Sequence, residues 1–289
     1  MTARRLFCFG LGYSARVFAK GLLAEGWRVA GTCRTEEKRV ALAAMGIEAF
    51  LFDRDRPLAG PAAALAGTTH LLSSVPPDAK GDAVLDHHGA DLRLLHGISW
   101  VGYLSTTGVY GDRAGDWVDE SSARSPSGWR SRQRLGAENA WLDSGLPVHL
   151  FRLAGIYGPG RSALDQARAG TARRIDKPGQ VFSRIHVADI ARVLRASIDR
   201  PDAGAAYNVC DDNPGPPHAV IEEACRLLGR APPPLEKFEE ARKSMTPMAL
   251  SFYADSKRVR NDRIKQELGV TLRYPSYREG LRALLADGT

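Results

Sequence analysis

The stretch FGLGYSA, residues 9–15, decides the fold. Its first residue, Phe9, ends the apolar run Leu6–Phe9, and a helical pattern starts near its end, at about Ser14. Gly10, Gly12 and Ala15 have the spacing GxGxxG/A. Between a strand and a helix, the first glycine permits a tight turn and the second lets the backbone approach a pyrophosphate, while the alanine lets the helix pack closely on the sheet. The helix N-terminus then faces the anion, so the stretch predicts a dinucleotide-binding loop.

Outward from this loop, short β-rich runs alternate with helical patterns. Strands are predicted at Leu6–Phe9, Arg28–Thr32, Ile47–Phe52, His70–Ser74, Trp100–Ser105, Val148–Leu153 and Tyr207–Val209. Helices are predicted from about Ser14 (with Val17, Phe18, Gly21 and Leu22 on one face), over Glu36–Met45 before Gly46, over Asp82–His96, near Ser131–Leu142 and over Val187–Ile198. This alternation predicts an α/β fold, a Rossmann-type doubly wound parallel sheet with a small C-terminal substrate lobe.

The alternation loosens after Gly160, where loop-forming segments such as DDNPGPP (211–217) become frequent. We predict a dinucleotide-binding Rossmann domain over residues 1–158, completed by about 185–210. A smaller substrate-binding lobe is predicted from 159–184 and 211–289, with a cleft between it and the sheet.

Composition excludes several classes of protein. The 289 residues are 44% apolar and 25% charged, which argues against a disordered or fibrous chain. The net charge is +7, but basic residues are scattered among 33 acids rather than forming a stripe with aromatics, so nucleic-acid binding is not predicted. Uninterrupted apolar runs stay well below the ~18 residues that span a bilayer. Gly10 and Gly12 also cut the first apolar run too short for a signal peptide. We therefore predict a soluble, cytoplasmic protein.

The sequence predicts no metal site. The four cysteines, Cys8, Cys33, Cys210 and Cys225, form no CxxC pair. His87 and His88 share a predicted helix with Asp91, but no second cluster completes a coordination sphere.

The end of the second strand favours NADP over NAD. An acidic residue about 20 residues after the glycine loop would bind the ribose hydroxyls of NAD. This chain has GTCRT at 31–35 instead, and the first acid is Glu36. A guanidinium and a hydroxyl, here Arg34 and Thr32, suit a 2′-phosphate. A solvated loop arginine is the alternative for Arg34.

Further motifs resemble those of the extended short-chain dehydrogenases/reductases, which include sugar-nucleotide epimerases and dehydratases. Besides the glycine loop, they are Asp53 after the third strand, STTGVYG at 105–111, FRLAGIYGPG at 151–160, RIHVADIA at 184–191 and AYNV at 206–209. The resemblance covers nearly the whole chain. The tail that begins SKRVRNDRIKQELGV at 256 is similar to an uncharacterised bacterial branch often labelled epimerase/dehydratase-like.

The resemblance implies a cofactor site wider than the loop. It implies that Asp53 contacts the adenine and that Ser73–Val75 lines the cofactor; a turn-forming aspartate is the alternative for Asp53. The predicted cofactor-binding residues are Gly10, Gly12, Tyr13, Ser14, Ala15, Thr32, Arg34, Asp53, Ser73, Ser74, Val75 and Ile156.

The resemblance also implies a catalytic Tyr–Lys pair, YxxxK, on the helix after strand five, helped by a strand-end hydroxyl. Thr106 matches the hydroxyl. Arg130 and Arg134 stand where the tyrosine and lysine are expected, so this helix lacks the dyad. A guanidinium, with a pKa above about 12, does not shuttle protons near neutrality. Thr106, Arg130 and Arg134 remain catalytic candidates. An alternative prediction is that the two arginines bind one anion together, because residues four apart project from the same face of a helix. That anion would be a carboxylate or phosphate of the substrate, or the side chain of Glu138.

For the substrate, the resemblance singles out two residues. Gly155 stands where the family often has asparagine. Phe182 stands where the family often has arginine, and Arg184 follows two residues later. Gly155 and Arg184 are predicted to bind substrate. Arg173 and Arg174 offer a further anion site with Arg184, and scattered surface arginines are the alternative. His186 is predicted to bridge the lobe to the sheet.

Two functions remain open. The first is an NADP-dependent oxidoreductase, epimerase or dehydratase acting on a small polar or anionic substrate. The second is a non-catalytic dinucleotide-binding sensor or regulator. A small molecule is the expected partner, with neither nucleic acid nor membrane, in a monomer or a homodimer. The resemblance implies that a dimer would form through Asp82–His96 and Ser131–Leu142.

Overall fold

The glycine loop follows the first strand of a parallel sheet. The computed structural model describes residues 4–288. Its strands are β1 (Arg5–Phe9), β2 (Arg28–Cys33), β3 (Glu48–Leu51), β4 (His70–Ser73), β5 (Trp100–Thr106), β6 (Trp117–Val118), β7 (Val148–Leu153), β8 (Gly155–Tyr157), β9 (Arg174–Asp176), β10 (Arg184–His186), β11 (Ala206–Val209), β12 (Leu235–Lys237) and β13 (Arg258–Val259).

Helices separate most of these strands. They are α1 (Tyr13–Ala24), α2 (Glu36–Ala43), α3 (Pro61–Leu65), α4 (Ala83–Arg93), α5 (Trp129–Leu142), α6 (Ala163–Arg168), α7 (Val187–Asp199), α8 (Pro217–Leu227), α9 (Phe238–Ala241), α10 (Pro247–Tyr253), α11 (Asp262–Gln266) and α12 (Tyr277–Ala286), with 3-10 turns at Thr107–Tyr110 and Arg242–Ser244.

Seven strands form one sheet in the order β11-β7-β5-β4-β1-β2-β3. β1 pairs in parallel with β2 on one side and with β4 on the other. The strand order therefore reverses at β1, and in such sheets the crevice at the carboxyl ends of the strands is where ligands bind. The predicted doubly wound parallel α/β fold is confirmed.

The two faces of the sheet explain the sequence patterns. All five residues of β1 are buried, as expected for a strand covered on both sides. The buried residues of α1, at helical spacing, are Ser14, Ala15, Phe18, Ala19 and Leu22. The predicted face of this helix was wrong in part, because Gly21 is exposed. The short helix α3 was not predicted; it begins after Gly60, whose φ is +57°, and has proline in its first turn.

A buried ion pair connects β5, α5 and β7. Glu138 on α5 is fully buried, and its two carboxylate oxygens accept hydrogen bonds from Arg152 Nε (3.1 Å) and Nη2 (3.0 Å). The Ser105 hydroxyl donates to the same carboxylate at 2.5 Å. Burying a charge is costly unless it is paired and hydrogen-bonded, so these three side chains depend on each other.

The chain divides into two compact units. Unit 1 comprises the residues up to Thr106, Arg132–Arg152 and Ile190–Tyr207. Unit 2 comprises Thr107–Ser131, Leu153–Asp189 and the residues from Asn208 onward.

Unit 2 is built on short parallel strand pairs and three packed helices. The strand pairs are β8 with β10, β9 with β12, and β6 with β13. Helices α6, α8 and α12 enclose an apolar core that includes Leu164, Ile221 and Leu281.

This division differs from the predicted domain boundary at residue 158. Residues 107–131 lie in unit 2, because β6 pairs with β13 and the Lys257 ammonium group donates to the Gly111 carbonyl at 2.8 Å. The contacts join segments about 140 residues apart, which no local pattern reveals.

Within residues 4–288, no helix combines the length and apolar character that a membrane crossing requires.

We expect Glu138→Ala to lower the free energy of unfolding by about 3–5 kcal/mol, because Arg152 would stay buried without its carboxylate. Lys243→Ala, which breaks the exposed pair with Glu240, is the control, and a loss below about 1 kcal/mol is expected there. Urea unfolding measures both. Equal effects in the two variants would contradict the role of the buried pair.

The buried carboxyl group of Asp211, which follows β11, should make the stability of the protein depend on pH. Burial raises the pKa of its carboxyl to about 8, so the folded state holds this proton more tightly than the unfolded state does. The resulting stability is full below the unfolded pKa and is lost as the pH rises towards about 8. Between about pH 5 and 8, the free energy of unfolding should fall by about 1.4 kcal/mol per pH unit relative to Asp211→Asn. Denaturation series at several pH values, with exposed Asp55→Asn as the control, test this. Parallel curves for wild type and Asp211→Asn would refute it.

Candidate functional site

Gly10 is fixed from both neighbouring strands of unit 1. Its φ is +84°, which disfavours any residue with a side chain. Its N–H donates to the Thr32 hydroxyl at 2.8 Å, and its carbonyl accepts a hydrogen bond from the Ser74 hydroxyl. A Cβ at this position would lie 3.1 Å from Val75 Cγ2. Glycine is therefore required here by the fold itself.

Gly12 is different, because the fold does not require a glycine there. Its φ is −81°, and the nearest atom to an added Cβ would be the Gly10 carbonyl oxygen at 3.9 Å. It precedes the first turn of α1, which has no side-chain cap and no acidic residue. The missing side chain leaves the positive end of the helix open, and this arrangement fits a pyrophosphate.

Thr32 has another role than the predicted phosphate contact. Its side chain is buried, and its hydroxyl accepts the Gly10 N–H. It therefore shapes the glycine loop from within. Arg34, two residues later, is exposed. Glu36, the first acid of this segment, forms an ion pair with Arg39, with Nε 2.9 Å from Oε2.

Asp53 forms a turn with Arg56. Its carboxylate accepts the Asp55 N–H at 3.1 Å and Arg56 Nη2 at 2.8 Å. The same Nη2 donates to the Arg34 carbonyl at 2.6 Å. These bonds agree with the turn-forming alternative and give Asp53 an indirect hold on the Arg34 backbone; the adenine contact stays a prediction.

The other predicted cofactor residues of unit 1 differ in how deeply they are buried and in how closely they approach Gly10. Ser14 and Ala15 are buried in the first turn of α1, and Tyr13 is half-buried. At the end of β4, Ser74 and Val75 approach Gly10. The Ser73 hydroxyl is fully buried and has no hydrogen-bond partner in the described structure.

The arginines at the dyad positions contact different groups. Arg134 Nη1 donates to the Tyr103 hydroxyl at 3.1 Å and to the Leu104 carbonyl at 2.9 Å. Arg130 Nη1 lies 2.6 Å from Met248 Sδ. Glu138 does not act as their shared anion in this structure, because its carboxylate pairs with Arg152.

Two further groups concern proton transfer in unit 1. Thr106 is the last residue of β5 and is half-buried, at the carboxyl end of the strand as predicted. Burial raises the pKa of the Tyr103 phenol well above its usual value, so this phenol stays protonated at neutral pH.

One tyrosine and lysine of the chain do have YxxxK spacing, Tyr253 and Lys257 in unit 2. Tyr253 is the last residue of α10, so the pair does not share a helix. Burial lowers the pKa of Lys257, whose ammonium group binds the Gly111 carbonyl at 2.8 Å and the Asp255 carboxylate at 3.4 Å. Tyr253 packs its ring on Phe182 and Phe238. These contacts are structural.

Unit 2 contains a cavity of about 480 Å³. Gly155, Ile156 and Arg184, three residues predicted to bind cofactor or substrate, all line it. β8 and β10 bring them together, since Arg184 stands opposite Gly155 in their parallel register. The remaining lining residues are Tyr157, Gly160, Arg161, Ser162, Ala163, Asp165, Gln166, Val220, Ile221 and Leu281. Sequence patterns missed most of them, because their apolar members have the spacing of ordinary core residues.

The predicted alternative anion site of three arginines does not form. Arg173 pairs with Glu236 at 2.7 Å, and Arg174 pairs with Glu222 at 3.0 Å. Arg184 donates from Nη1 to the Phe182 carbonyl at 3.1 Å. Burial lowers the pKa of Arg184.

The histidines take structural positions. His186 packs on Tyr157 and Tyr274 in unit 2 and accepts the Ala188 N–H at Nδ1. Burial lowers its pKa to about 4, so the ring is neutral at pH 7. His88 accepts the Leu58 N–H at Nε2, and its Nδ1 lies 2.9 Å from Asp91. Among the described residues, no group of three or more acidic, histidine or cysteine side chains could hold a metal ion.

Known proteins share this fold over its full length. A functionally unknown conserved protein from Silicibacter pomeroyi is 52% identical, with a TM-score of 0.91 and 99% of both chains covered. A putative NAD-dependent epimerase/dehydratase from Methylobacillus flagellatus is 24% identical, with a TM-score of 0.76, covering 100% of this chain and 99% of that one.

Among curated proteins, Protein YeeZ of Escherichia coli K12 is 27% identical over 282 residues, which are 94% of this chain and 97% of YeeZ. No protein-family model matches the chain. The chain belongs to one family with the conserved Silicibacter pomeroyi protein, and its fold is that of the NAD-dependent epimerase/dehydratase-like proteins, the extended short-chain dehydrogenases/reductases.

Proposed function

We propose that this protein is an NADP-dependent enzyme of the oxidoreductase or epimerase/dehydratase type, acting in the cytoplasm on a small polar or anionic substrate. The observation that carries the proposal is the uncapped N-terminus of α1, kept open by Gly12. A glycine that the fold does not need, at the positive end of a helix, is explained by a ligand that approaches the backbone there.

The residues that would hold the dinucleotide are those of the glycine loop. The backbone at Gly12 and the first turn of α1 would bind the pyrophosphate. Thr32 and Ser74 hold Gly10 in its left-handed conformation for this purpose. The bound nicotinamide would supply a site for hydride transfer.

A preference for NADP follows from the charges after β2. The first acid after this strand, Glu36, is paired with Arg39. Arg34 is exposed, and its carbonyl is held by Arg56. A guanidinium on a backbone fixed in this way binds a 2′-phosphate with two charge-assisted hydrogen bonds.

The chemistry would rely on Thr106 rather than on a tyrosine. A hydroxyl at the end of β5 donates a hydrogen bond to a developing oxyanion. Arg134 replaces the expected lysine, and its bonds to Tyr103 and Leu104 fix the guanidinium against the end of β5. The substrate would bind at Gly155 and Arg184 in unit 2.

A second function, a dinucleotide sensor without turnover, is favoured by Arg130. This arginine occupies the expected position of the proton-transferring tyrosine, and a guanidinium does not titrate near neutrality. Binding of NADP and NADPH, with neither a change in nicotinamide absorbance nor a new product by NMR across alcohols, aldehydes, ketones and hydroxy acids, would support the sensor and overturn the enzyme.

Replacing Arg34 tests the choice of cofactor. Wild type should bind NADPH at least about tenfold more tightly than NADH, since a hydrogen bond to a charged group contributes about 1.5–3 kcal/mol. Arg34→Ala should remove most of this difference and leave NADH affinity unchanged. Titration of nicotinamide fluorescence measures both, with Arg28→Ala, at the other end of β2, as the control. Equal affinities in wild type would refute the NADP assignment.

Replacing Gly12 tests the location of the cofactor. Gly12→Val should weaken NADPH binding by about 100-fold or more by filling the space that the pyrophosphate needs, while the melting temperature stays close to wild type. Gly10→Ala should instead lower the melting temperature, because its φ of +84° strains any other residue. Gly21→Ala, on the exposed face of α1, is the matched control. Unchanged NADPH affinity in Gly12→Val would place the dinucleotide elsewhere.

A further inference from the structure

Arg184 is a buried cation at the wall of the unit 2 cavity. Only 9% of its surface is exposed. Its guanidinium donates to two backbone carbonyls, those of Phe182 at 3.1 Å and Gly215 at 3.5 Å, and lies over the Tyr277 ring. In the part of the chain that the structure describes, no carboxylate oxygen lies within 4.0 Å of this guanidinium. In this respect Arg184 differs from Arg152, whose buried charge is paired.

The neighbouring acid, Asp211, forms no ion pair with this guanidinium in the described structure, although the two charges interact at longer range. Its N–H donates to the Arg184 carbonyl at 2.6 Å, so the two residues are adjacent in space. Its Oδ1 accepts the Asn213 N–H at 3.2 Å, and its Oδ2 is buried without a hydrogen-bond partner in the described structure. Burial raises the pKa of this carboxyl to about 8, more than the nearby Arg184 charge lowers it, so burial rather than an ion pair dominates its environment.

The other walls of the cavity are mainly apolar. The apolar lining side chains are Ile156, Ala163, Val220, Ile221 and Leu281. The one lining carboxylate, Asp165, already accepts hydrogen bonds from the Ser162 N–H and hydroxyl, both at 2.7 Å. It closes the first turn of α6 as part of a capping box. The volume of about 480 Å³ is in the range of cavities that hold small molecules.

We propose that this cavity binds a small organic acid, whose carboxylate pairs with the Arg184 guanidinium and whose apolar body contacts Val220, Ile221 and Leu281. A buried charge without a partner is unfavourable, and a ligand carboxylate would supply two oxygens that match the planar guanidinium. The apolar walls favour an acid with a hydrocarbon body over inorganic phosphate, which is hydrated on every side. Binding of the acid in this cavity does not depend on the proposed function. Only its role as the substrate of the enzyme rests on that function.

The experiment measures binding to the whole protein without nucleotide, by calorimetry. The probes are phenylacetate and isovalerate, with phenylacetamide as the uncharged match of the first and inorganic phosphate as an anion without an apolar body. Phenylacetate or isovalerate should bind at least about tenfold more tightly than phenylacetamide and phosphate, because removing one member of a buried charge pair weakens binding by more than this factor.

Three variants locate the site. Arg184→Met should weaken binding of the acid at least about tenfold, and it should fold, since a buried unpaired charge is replaced by an apolar side chain of similar length. Val220→Trp should weaken binding by filling the cavity while it keeps the charge, and it carries the test if Arg184→Met does not fold. Arg168→Ala, exposed at the end of α6 outside the cavity lining, should bind like wild type.

The proposal is overturned if neither acid binds, if phosphate or the amide binds as tightly as the acids, or if all three variants bind like wild type. A parallel NADPH titration separates this result from the proposed function. Loss of acid binding with intact NADPH binding concerns the cavity alone, and acid binding without NADPH binding leaves the cavity proposal standing and refutes the cofactor proposal.

Discussion

The conformation of the glycine loop depends on hydrogen bonds from both sides of β1. Because β1 pairs with β2 and β4, the chain leaves the sheet where two strand ends flank it. Thr32 at the end of β2 binds the Gly10 N–H, and Ser74 after β4 binds its carbonyl. The turn therefore needs no ligand to hold its shape. This preorganisation leaves the helix N-terminus free to face a pyrophosphate.

The sequence predicted the parts of the fold that local patterns determine. The glycine spacing, the strand positions and the doubly wound class follow from periodicity and turn chemistry over short windows. The role of Thr32 does not, because its hydroxyl meets Gly10 only through the register in which Cys8 stands opposite Gly31. A contact that depends on the pairing of two strands is invisible to either strand alone.

The candidate site in unit 2 was predictable only at its two strands. Gly155 and Arg184 were found because they lie at or beside positions where the chain departs from the family it resembles, whereas Val220 and Leu281 belong to helices whose apolar faces have ordinary spacing. The partners of the basic residues were equally hidden. All three arginines were candidates for one anion site in the sequence, yet glutamates from distant segments pair with Arg173 and Arg174 and not with Arg184. Tertiary pairing thus decides which of these arginines is available to bind an anion.

The order of the strands in the sheet has a consequence for synthesis. The edge strand β11 (Ala206–Val209) lies beside β7 and is separated from β1 by about 200 residues of chain. Unit 1 draws on three separate segments, the last of them ending at Tyr207, so the sheet cannot be completed until the ribosome has translated β11. Until then β7 has an unpaired edge, and such edges favour aggregation of nascent chains. A fragment that stops before β11 would therefore expose the edge of β7 that β11 covers.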